Sequence, residues 1–136
     1  MPPPRTGPLA NVVCVDLTRQ LAGPQASRIL SDLGARVIKV EQTGSSGDLI
    51  EASPHYFAAV NHSKERVELD LRSDEGRASF DALLEAADIL TENFRPGVMN
   101  QMGYSWESVH ARFPHLIMAS VSGFGQVRKN RPVLNF

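Results

Sequence analysis

Cysteines and long apolar runs are nearly missing from this sequence. Its single cysteine, Cys14, excludes an intramolecular disulfide and any metal site built from several cysteines. No apolar run approaches the roughly 18 residues of a membrane span, and residues 1–7 (MPPPRTG) lack the apolar core of a secretion signal. We therefore expect a cytoplasmic protein that does not enter a membrane, with Cys14 reduced and buried in an apolar strand.

An excess of either charge is also missing, since 14 Lys and Arg residues stand against 15 Asp and Glu residues. General binding of nucleic acid or of a membrane surface needs a concentrated excess of positive charge, so neither is expected here. A local site for an anion stays compatible with this balance. The composition, with 42% hydrophobic residues, is typical of one globular domain or of a piece of a larger one.

Signatures of metals and of common nucleotide cofactors are absent as well. Residues 21–24 (LAGP), after the first predicted strand, hold one glycine where a dinucleotide site needs a Gly-x-Gly-x-x-Gly turn. Neither a Walker-type phosphate loop nor a nucleophile elbow occurs. The four histidines share no metal-binding spacing, so we predict no metal, no NAD, and surface or helix-end positions for His55, His62, His110 and His115.

What the sequence does contain is an alternation of strand and helix patterns. Five short runs that are β-branched or alternate polar and apolar residues predict strands at residues 11–17, 36–41, 65–71, 88–92 and 116–121. We expect the third strand nearer an edge of the sheet and the last strand in the core. Helical patterns fall between them, at about residues 22–33, 54–61, 73–87, 96–102 and 105–112. Parallel strands need crossovers of this size, so we predict an α/β fold with a Rossmann-like, mostly parallel sheet and flanking helices.

Two segments carry more detailed expectations. The first helix has its apolar residues at the spacing of one helix face, which predicts an amphipathic helix with the stripe Ala22, Ala26, Ile29, Leu30 and Leu33. Residues 42–49 turn to Thr, Gly, Ser and Asp, which favours a mobile loop. In an open α/β sheet the loops after the strands bind ligands, and several of these loops here combine a small residue, a polar side chain and an arginine.

Six blocks of sequence resemble the family III CoA-transferases, the group that includes formyl-CoA transferase and carnitine CoA-transferase. The blocks are VCVDLTRQLAGPQAS (13–27), LSDLGARVIKVE (30–41), NHSKERVELDL (61–71), ADILTENFRPG (87–97), MGYSWE (102–107) and FPHLIMASVSGFGQ (113–126). The resemblance covers about residues 7 to 126 without a large gap. Several ordered motifs at matching intervals are far more specific than any one of them alone.

The resemblance implies that this chain is the N-terminal part of the family III CoA-transferase fold. It implies a disordered or extended segment at residues 1–10, an incomplete CoA-binding Rossmann-like domain at 11–126, and a truncated basic connecting segment at 127–136. Full-length relatives are expected to form a homodimer of two interlocked rings. The implied partners are an acyl-CoA and a carboxylic acid that accepts CoA.

The family's reaction moves CoA from a thioester to a free carboxylic acid, with an aspartate as the covalent nucleophile. Attack by this carboxylate gives a mixed anhydride, the CoA thiolate returns to form an enzyme thioester, and the acceptor acid then takes the CoA. By the family's pattern this aspartate lies downstream of Phe136, so we expect no catalytic residue in these 136 residues and no activity of the chain alone.

The CoA contacts implied by the resemblance fall in the loops after the strands. Leu21 and Ala22 are expected near the pantetheine or thioester end, and Gln42 stands where the family often has an arginine beside the nucleotide. Around the adenosine we expect Leu69, Asp70, Leu71 and Arg72. Along the nucleotide and diphosphate we expect Asn93, Phe94 and Arg95, and on the following helix Val98 and Gln101. Gln42 and Gln101 offer neutral amides in place of cations, which weakens the expected phosphate binding.

Plainer interpretations of these residues stay open at this point. Asn93 could cap a helix that begins near Arg95 with Pro96 in its first turn. Arg72 could be a solvated arginine, and Leu69 and Phe94 could belong to the core. Three aspartates within the matching blocks lie at strand or helix ends, where turn and capping roles are expected, and none is assigned as a nucleophile: Asp16, Asp32 and Asp70.

Two alternative functions also stay open. The related 2-methylacyl-CoA racemases share the fold and the CoA site, but their pattern expects Gly-His-Asp where this chain has VLN at 133–135, which favours a transferase. The other alternative is an inactive truncated product that keeps at most weak nucleotide binding, since a sheet without its closing partners exposes an apolar face.

Overall fold

A computed structural model of the chain describes residues 5–44 and 47–126. The elements, in chain order, are β1 (Val13–Asp16), α1 (Ala22–Asp32), β2 (Arg36–Gln42), a 3-10 turn (Leu49–Ala52), α2 (Pro54–Asn61), β3 (Glu65–Leu69), α3 (Asp74–Glu85), β4 (Ile89–Glu92), α4 (Val98–Gln101), α5 (Trp106–Arg112) and β5 (Ile117–Ser120). The five predicted strands and five predicted helices are therefore confirmed. The basic segment predicted at 127–136 and residues 1–4 lie outside the described residues.

The five strands form one sheet in the order β3-β2-β1-β4-β5, and every neighbouring pair is parallel. This confirms the predicted α/β class and the edge position of β3. The prediction of a core strand at 116–121 is wrong, because β5 is the other edge strand of the described sheet and Ile117 is 63% exposed. Leu116, immediately before β5, is buried in the core cluster, and Met118 packs against the same cluster.

The strand order reverses direction between β1 and β4. The strands β2 and β3 lie successively on one side of β1, and the chain then crosses so that β4 and β5 lie on the other side. On one face of the sheet Val15 and Leu90 pack in a single core cluster with Phe80 and Leu84 of α3. On the other face Cys14 packs with Ala35 and Val37 in a smaller cluster. Cys14 is buried, as predicted, and burial raises the pKa of its thiol to about 12.

The predicted apolar stripe of α1 does not face the core. The buried residues of α1 are Gly23, Pro24, Ser27 and Ser31. Ile29 is 49% exposed and Leu33 is 42% exposed, and of the predicted stripe only the half-buried Leu30 packs against a core cluster. The expected helix is confirmed, but the face that it buries carries small side chains instead of the predicted apolar ones.

Close packing at the start of α1 explains this orientation. A Cβ atom added to Gly23 would lie 2.5 Å from the Cβ atom of Thr18, a distance that real contacts do not reach. The helix therefore lies so near the end of β1 that only small residues fit between them. Ser27, one turn later, donates a hydrogen bond of 2.6 Å to the Asp16 carboxylate.

Three local predictions also need correction. Within the segment predicted to be extended or disordered, residues 8–10 form a turn, and the Leu9 amide donates to the Leu33 carbonyl. The α4 helix begins at Val98 after Gly97, whose φ is 92°, so Asn93 does not cap it and Pro96 precedes it. Within the predicted mobile loop 42–49, Asp48 is buried and caps the following 3-10 turn.

The residues that the structure describes include no helix with the length and apolarity needed to cross a membrane. Within the same ranges no cluster of three or more His, Cys, Asp and Glu side chains could hold a metal ion. All four histidines are exposed, as predicted: His55, His62, His110 and His115.

Candidate ligand-binding site

A cavity of about 230 Å³ opens where the first four strands end. Its lining comes from the residues that follow or end β1, β2, β3 and β4, together with one methionine after α4: Leu17 and Arg19, Val40 and Gln42, Leu71 and Arg72, Phe94, and Met102. The carboxyl ends of parallel strands lie at one edge of a sheet, and the crevice forms where the strand order reverses. We call this cavity the strand-end cleft.

The strand-end cleft has an apolar base and a charged margin. Leu17, Val40 and Leu71 are all buried, and Phe94 is half-buried beside them. Arg19 is half-buried with its guanidinium 5.9 Å from the centre of the Phe94 ring, and Arg72 is exposed. This combination suits a ligand that has a flat apolar part and negative charges.

Four of the residues predicted to bind ligand meet in this cleft, namely Gln42, Leu71, Arg72 and Phe94. Arg95 lines a second, larger cavity of about 450 Å³ beside the buried Glu92, between β4, α4 and α5. The remaining predicted residues line neither cavity: Leu21, Ala22, Leu69, Asp70, Asn93, Val98 and Gln101. The prediction from the resemblance therefore spreads over two cavities and the surfaces between them.

Gln42 uses its side chain to join the ends of β2 and β3. Its Nε2 atom donates to Asp70 Oδ1 at 2.7 Å, and its Oε1 atom accepts from the Leu71 amide at 3.1 Å. The hydrogen bond from Gln42 lowers the pKa of the Asp70 carboxyl, which also accepts from the Arg72 amide. Asp70 thus has the turn role expected from the sequence, and the Gln42 amide is engaged within the protein.

The loop between β1 and α1 is held through three successive backbone amides. The Thr18 amide donates to Asp16 Oδ1, the Arg19 amide to Asn93 Oδ1, and the Gln20 amide to Asp48 Oδ2, each at 2.8 Å. Asn93 Nδ2 also donates to the Arg19 carbonyl at 2.7 Å, so both polar atoms of the Asn93 side chain bind the Arg19 backbone.

This loop is fixed even though one of its residues has an unfavourable backbone conformation. Gln20 has a φ of 68°, in the left-handed region that non-glycine residues seldom occupy. Side chains from β1, from the segment after β2 and from the residue after β4 together hold it there. Unfavourable backbone conformations that several surrounding contacts hold in place are common at ligand sites.

A buried ion pair lies beneath the same loop. Lys64 Nζ is 3.0 Å from Asp16 Oδ2, and the two side chains are 1% and 0% exposed. The ammonium also donates to the Pro24 carbonyl, to Ser27 Oγ and to Asn61 Oδ1, each at 2.9 Å. It therefore ties the end of β1 to the first turns of α1 and to the end of α2.

The pair is ionised because its surroundings compensate for burial. Burial alone would raise the pKa of the Asp16 carboxyl, but Lys64 and hydrogen bonds from Ser27 and Thr18 hold that pKa below its ordinary value. Burial lowers the pKa of the Lys64 ammonium, and the Asp16 carboxylate opposes this shift. Both Asp16 oxygens accept hydrogen bonds, so this aspartate has no lone pair directed at a ligand.

The arginines at the strand ends differ from those elsewhere in the described chain. Across residues 5–44 and 47–126, the guanidinium groups of Arg19, Arg72 and Arg95 form no hydrogen bond or ion pair. The other arginines in these ranges each bind a carboxylate or a carbonyl, and they are Arg5, Arg28, Arg36, Arg66, Arg77 and Arg112. Within residues 5–44 and 47–126, the arginines left available for a ligand are thus the ones that line the two cavities.

The resemblance and the sequence pattern missed three residues of this arrangement. Arg19 lies in a loop directly after a strand, and the rule that such loops bind ligands was a signal for it. Asp48 and Lys64 had no comparable signal, because each acts on a partner distant in sequence: Asp48 on Gln20 and Lys64 on Asp16.

Comparison with known proteins gives a consistent result. The model of the family described as CoA-transferase family III matches residues 9–134. An acetyl-CoA:oxalate CoA-transferase from Acetobacter aceti is 44% identical over 126 residues, covering 88% of this chain and 32% of that protein. A succinyl-CoA:mesaconate CoA-transferase from Haloarcula hispanica is 40% identical over 134 residues, covering 90% of this chain and 33% of that protein.

Solved structures agree with these sequence matches. A CAIB/BAIF family protein from Brucella suis superposes with a TM-score of 0.83 and 36% identity, covering 92% of this chain and 36% of that one. The chain spans about a third of the length of the curated relatives that it matches. The matched third contains the sheet, the strand-end cleft and most of the loop residues described above.

Proposed function

Since this chain belongs to CoA-transferase family III, we propose that its strand-end cleft binds the nucleotide end of CoA or of an acyl-CoA. The observation that carries the proposal is the coincidence of an apolar cavity with unpaired arginines at the carboxyl edge of the sheet. The adenine ring would lie against Leu71 and Phe94, and Arg19 and Arg72 would face the phosphates. The coarse chemistry, CoA-thioester substrates, follows from the family.

The size of the cleft limits which part of CoA it takes. Pockets that enclose a whole ligand of drug size have volumes of about 300–1,000 Å³. A cavity of about 230 Å³ is smaller, so it suits the adenosine end of the molecule and leaves the pantetheine arm to extend over the surface. We place Leu21 and Ala22, at the exposed start of α1, along this arm because the resemblance expects the thioester end there.

For the whole protein we propose transfer of CoA from an acyl-CoA to a free carboxylic acid. An aspartate carboxylate attacks the thioester carbonyl and expels the CoA thiolate, which then attacks the carbonyl of the enzyme carboxyl in the resulting anhydride and releases the donor acid. The acceptor carboxylate attacks the enzyme thioester, and the expelled thiolate completes the new acyl-CoA and restores the aspartate. We further propose that the working enzyme is an interlocked homodimer.

We assign this nucleophile to no residue among the 136. The carboxylates near the strand-end cleft are committed to structural hydrogen bonds: Asp16 to Ser27 and Lys64, Asp48 to the Gln20 amide, and Asp70 to Gln42. We therefore propose that residues 11–126 are the CoA-binding part of the enzyme and that 127–136 connect it to the catalytic part.

The first experiment is titration calorimetry of the purified protein with CoA and with pantetheine, which lacks the nucleotide. We expect saturable binding of CoA and much weaker binding of pantetheine. Arg72→Ala is expected to weaken CoA binding, and Arg36→Ala, which removes the same charge at the opposite edge of the sheet, is the matched control. A folded protein with no saturable CoA binding would refute the proposed site.

A second assay separates the possible reactions. The protein is incubated with acetyl-CoA and a free dicarboxylic acid, and separately with a 2-methylacyl-CoA in heavy water. We expect no turnover from the 136 residues alone, because we place the nucleophile outside them. Formation of a new acyl-CoA by this chain would contradict that assignment, and exchange of the proton next to the thioester would favour the racemase alternative.

A further inference from the structure

Position 42 cannot supply the cation that a phosphate site beside β2 would use. Gln42 is neutral, and both polar atoms of its side chain are engaged, by Asp70 on one side and by the Leu71 amide on the other. Turning this amide toward a ligand would break two hydrogen bonds that join β2 to the residues after β3. The charge that binds a phosphate in the strand-end cleft must therefore come from another residue.

Of the two arginines in the cleft, Arg19 has the charge that nearby carboxylates offset less. Arg72 is exposed and lies within electrostatic reach of the Asp70 carboxylate, which reduces its field. Arg19 is half-buried beside Phe94, and its guanidinium forms no ion pair with any residue that the structure describes. Partial burial strengthens a charge-assisted hydrogen bond because water screens it less.

The backbone of Arg19 is also held by hydrogen bonds at both its amide and its carbonyl. Asn93 binds both its amide and its carbonyl, and Asp48 binds the amide of the next residue. A charge on a backbone held in this way loses little freedom when a ligand binds, which favours affinity. Asp48 precedes the 3-10 turn and Asn93 follows β4, so two segments distant in sequence fix the position of Arg19.

We infer that Arg19 supplies the phosphate-binding charge of the strand-end cleft in place of a cation at position 42, and that Asn93 positions it. This rests on the proposed function, since it takes the ligand to be the nucleotide end of CoA. The guanidinium would donate two parallel hydrogen bonds to phosphate oxygens, a geometry that lysine cannot reproduce. Asn93 acts through the Arg19 backbone and would not itself contact the phosphate.

The test is calorimetric titration of the purified protein with CoA and, in parallel, with adenosine, which has no phosphate. Arg19→Ala is expected to weaken CoA binding by about 10- to 100-fold, the range for a lost charge-assisted hydrogen-bond pair, and to leave adenosine binding unchanged. Arg19→Lys keeps the positive charge but loses the planar guanidinium group. Its CoA affinity should therefore lie between that of Arg19→Ala and that of the unmodified protein. Arg36→Ala, at the opposite edge, should match the unmodified protein for both ligands.

The positioning role of Asn93 needs a double-mutant cycle. Asn93→Ala is expected to weaken CoA binding when Arg19 is present and to have no further effect in the Arg19→Ala background. A merely structural role for Asn93 would lower affinity equally in both backgrounds. Circular dichroism of each variant verifies the fold, and Asn93→Asp, which keeps the bond to the Arg19 amide, should retain part of the affinity.

The outcomes separate this inference from the proposed function. Normal CoA binding by Arg19→Ala would overturn the inference and leave the proposed function standing. An equal loss of CoA and adenosine binding would also overturn it, because Arg19 would then act on the base or on the loop. Absence of CoA binding by the unmodified protein would refute both.

Discussion

At the amino edge of the sheet, Arg36 and Arg5 both bind Glu65, and Arg5 also donates to the Ala35 carbonyl. At the carboxyl edge, Arg19 and Arg72 bind no carboxylate among the described residues, although the cavity that they line is open to a ligand. Arginines are thus paired with a carboxylate at the amino edge of the sheet, and those at the carboxyl edge are left unpaired.

The ion pairs of the two edges differ in burial as well. The pairs of Glu65 are exposed, with side chains 31–51% accessible, whereas Asp16 and Lys64 beneath the carboxyl-edge loop are fully enclosed. Exposed pairs contribute little to stability, but an enclosed pair holds its geometry because breaking it leaves a buried charge. The loop that carries Arg19 therefore lies over an ion pair that is costly to break, which favours a fixed position for this proposed ligand contact.

The largest effect is expected from Lys64→Met. It removes the partner of the buried Asp16 carboxylate and the donor that joins β1 to α1 and α2. Breaking a buried pair from one side typically costs about 3–5 kcal/mol of unfolding free energy. Denaturant unfolding followed by circular dichroism measures this loss, and a change below about 1 kcal/mol would contradict the supporting role of the pair.

Two observations sharpen this prediction. Combining Lys64→Met with Asp16→Asn removes the unpaired charge, so the double variant should be less destabilised than Lys64→Met alone. The pKa of folded Asp16 lies below its ordinary value of 3.8, so its ionised form stabilises the fold fully above pH 3.8 and the contribution disappears as pH falls through the lower folded-state pKa. In Lys64→Met burial acts on the Asp16 carboxyl without its counter-charge, so the pKa of that carboxyl should rise and the stability difference from the unmodified protein should shrink as pH falls.

A smaller loss is expected from Gly23→Ala, which tests the close approach of α1 to the carboxyl edge. The new methyl group would meet the Thr18 side chain, which is held by its hydroxyl bond to Asp16. Overpacking of this kind costs about 1–3 kcal/mol, measured by denaturant unfolding. Gly123→Ala is the matched control, because the space around Gly123 is open, and it should change stability by less than about 0.5 kcal/mol.

The α/β class, the five strands and the edge position of β3 could be predicted because they depend on local patterns of apolar residues. The orientation of α1 could not, since hydrophobic periodicity reports which side chains avoid water and not how closely a helix approaches a strand. Gly23 and Ser27 are buried by that approach, whereas Ile29 remains half exposed. Similarly, β5 has a core-like sequence but lies at an edge of the described sheet.

The site could be predicted only where a motif or a strand end marked it. Leu71 and Phe94 lie within the matching blocks, Gln42 and Arg72 come directly after such blocks, and all four line one cleft. The role of Asn93 was missed because its partner, the Arg19 backbone, is 74 residues away in sequence. No local pattern specifies such a contact, since it depends on the strand order of the finished sheet.

The smallest effect is expected at the amino edge. Arg36→Ala breaks a two-pronged bond to Glu65, yet both side chains are about half exposed, so solvent screening limits the loss to about 0–1 kcal/mol of unfolding free energy. High salt should reduce this difference further, because it screens exposed pairs. Titration of the same variant with CoA is the more informative measurement. If Arg36→Ala weakened CoA binding as much as Arg19→Ala, net charge alone would explain both effects, and the two edges would not differ in function.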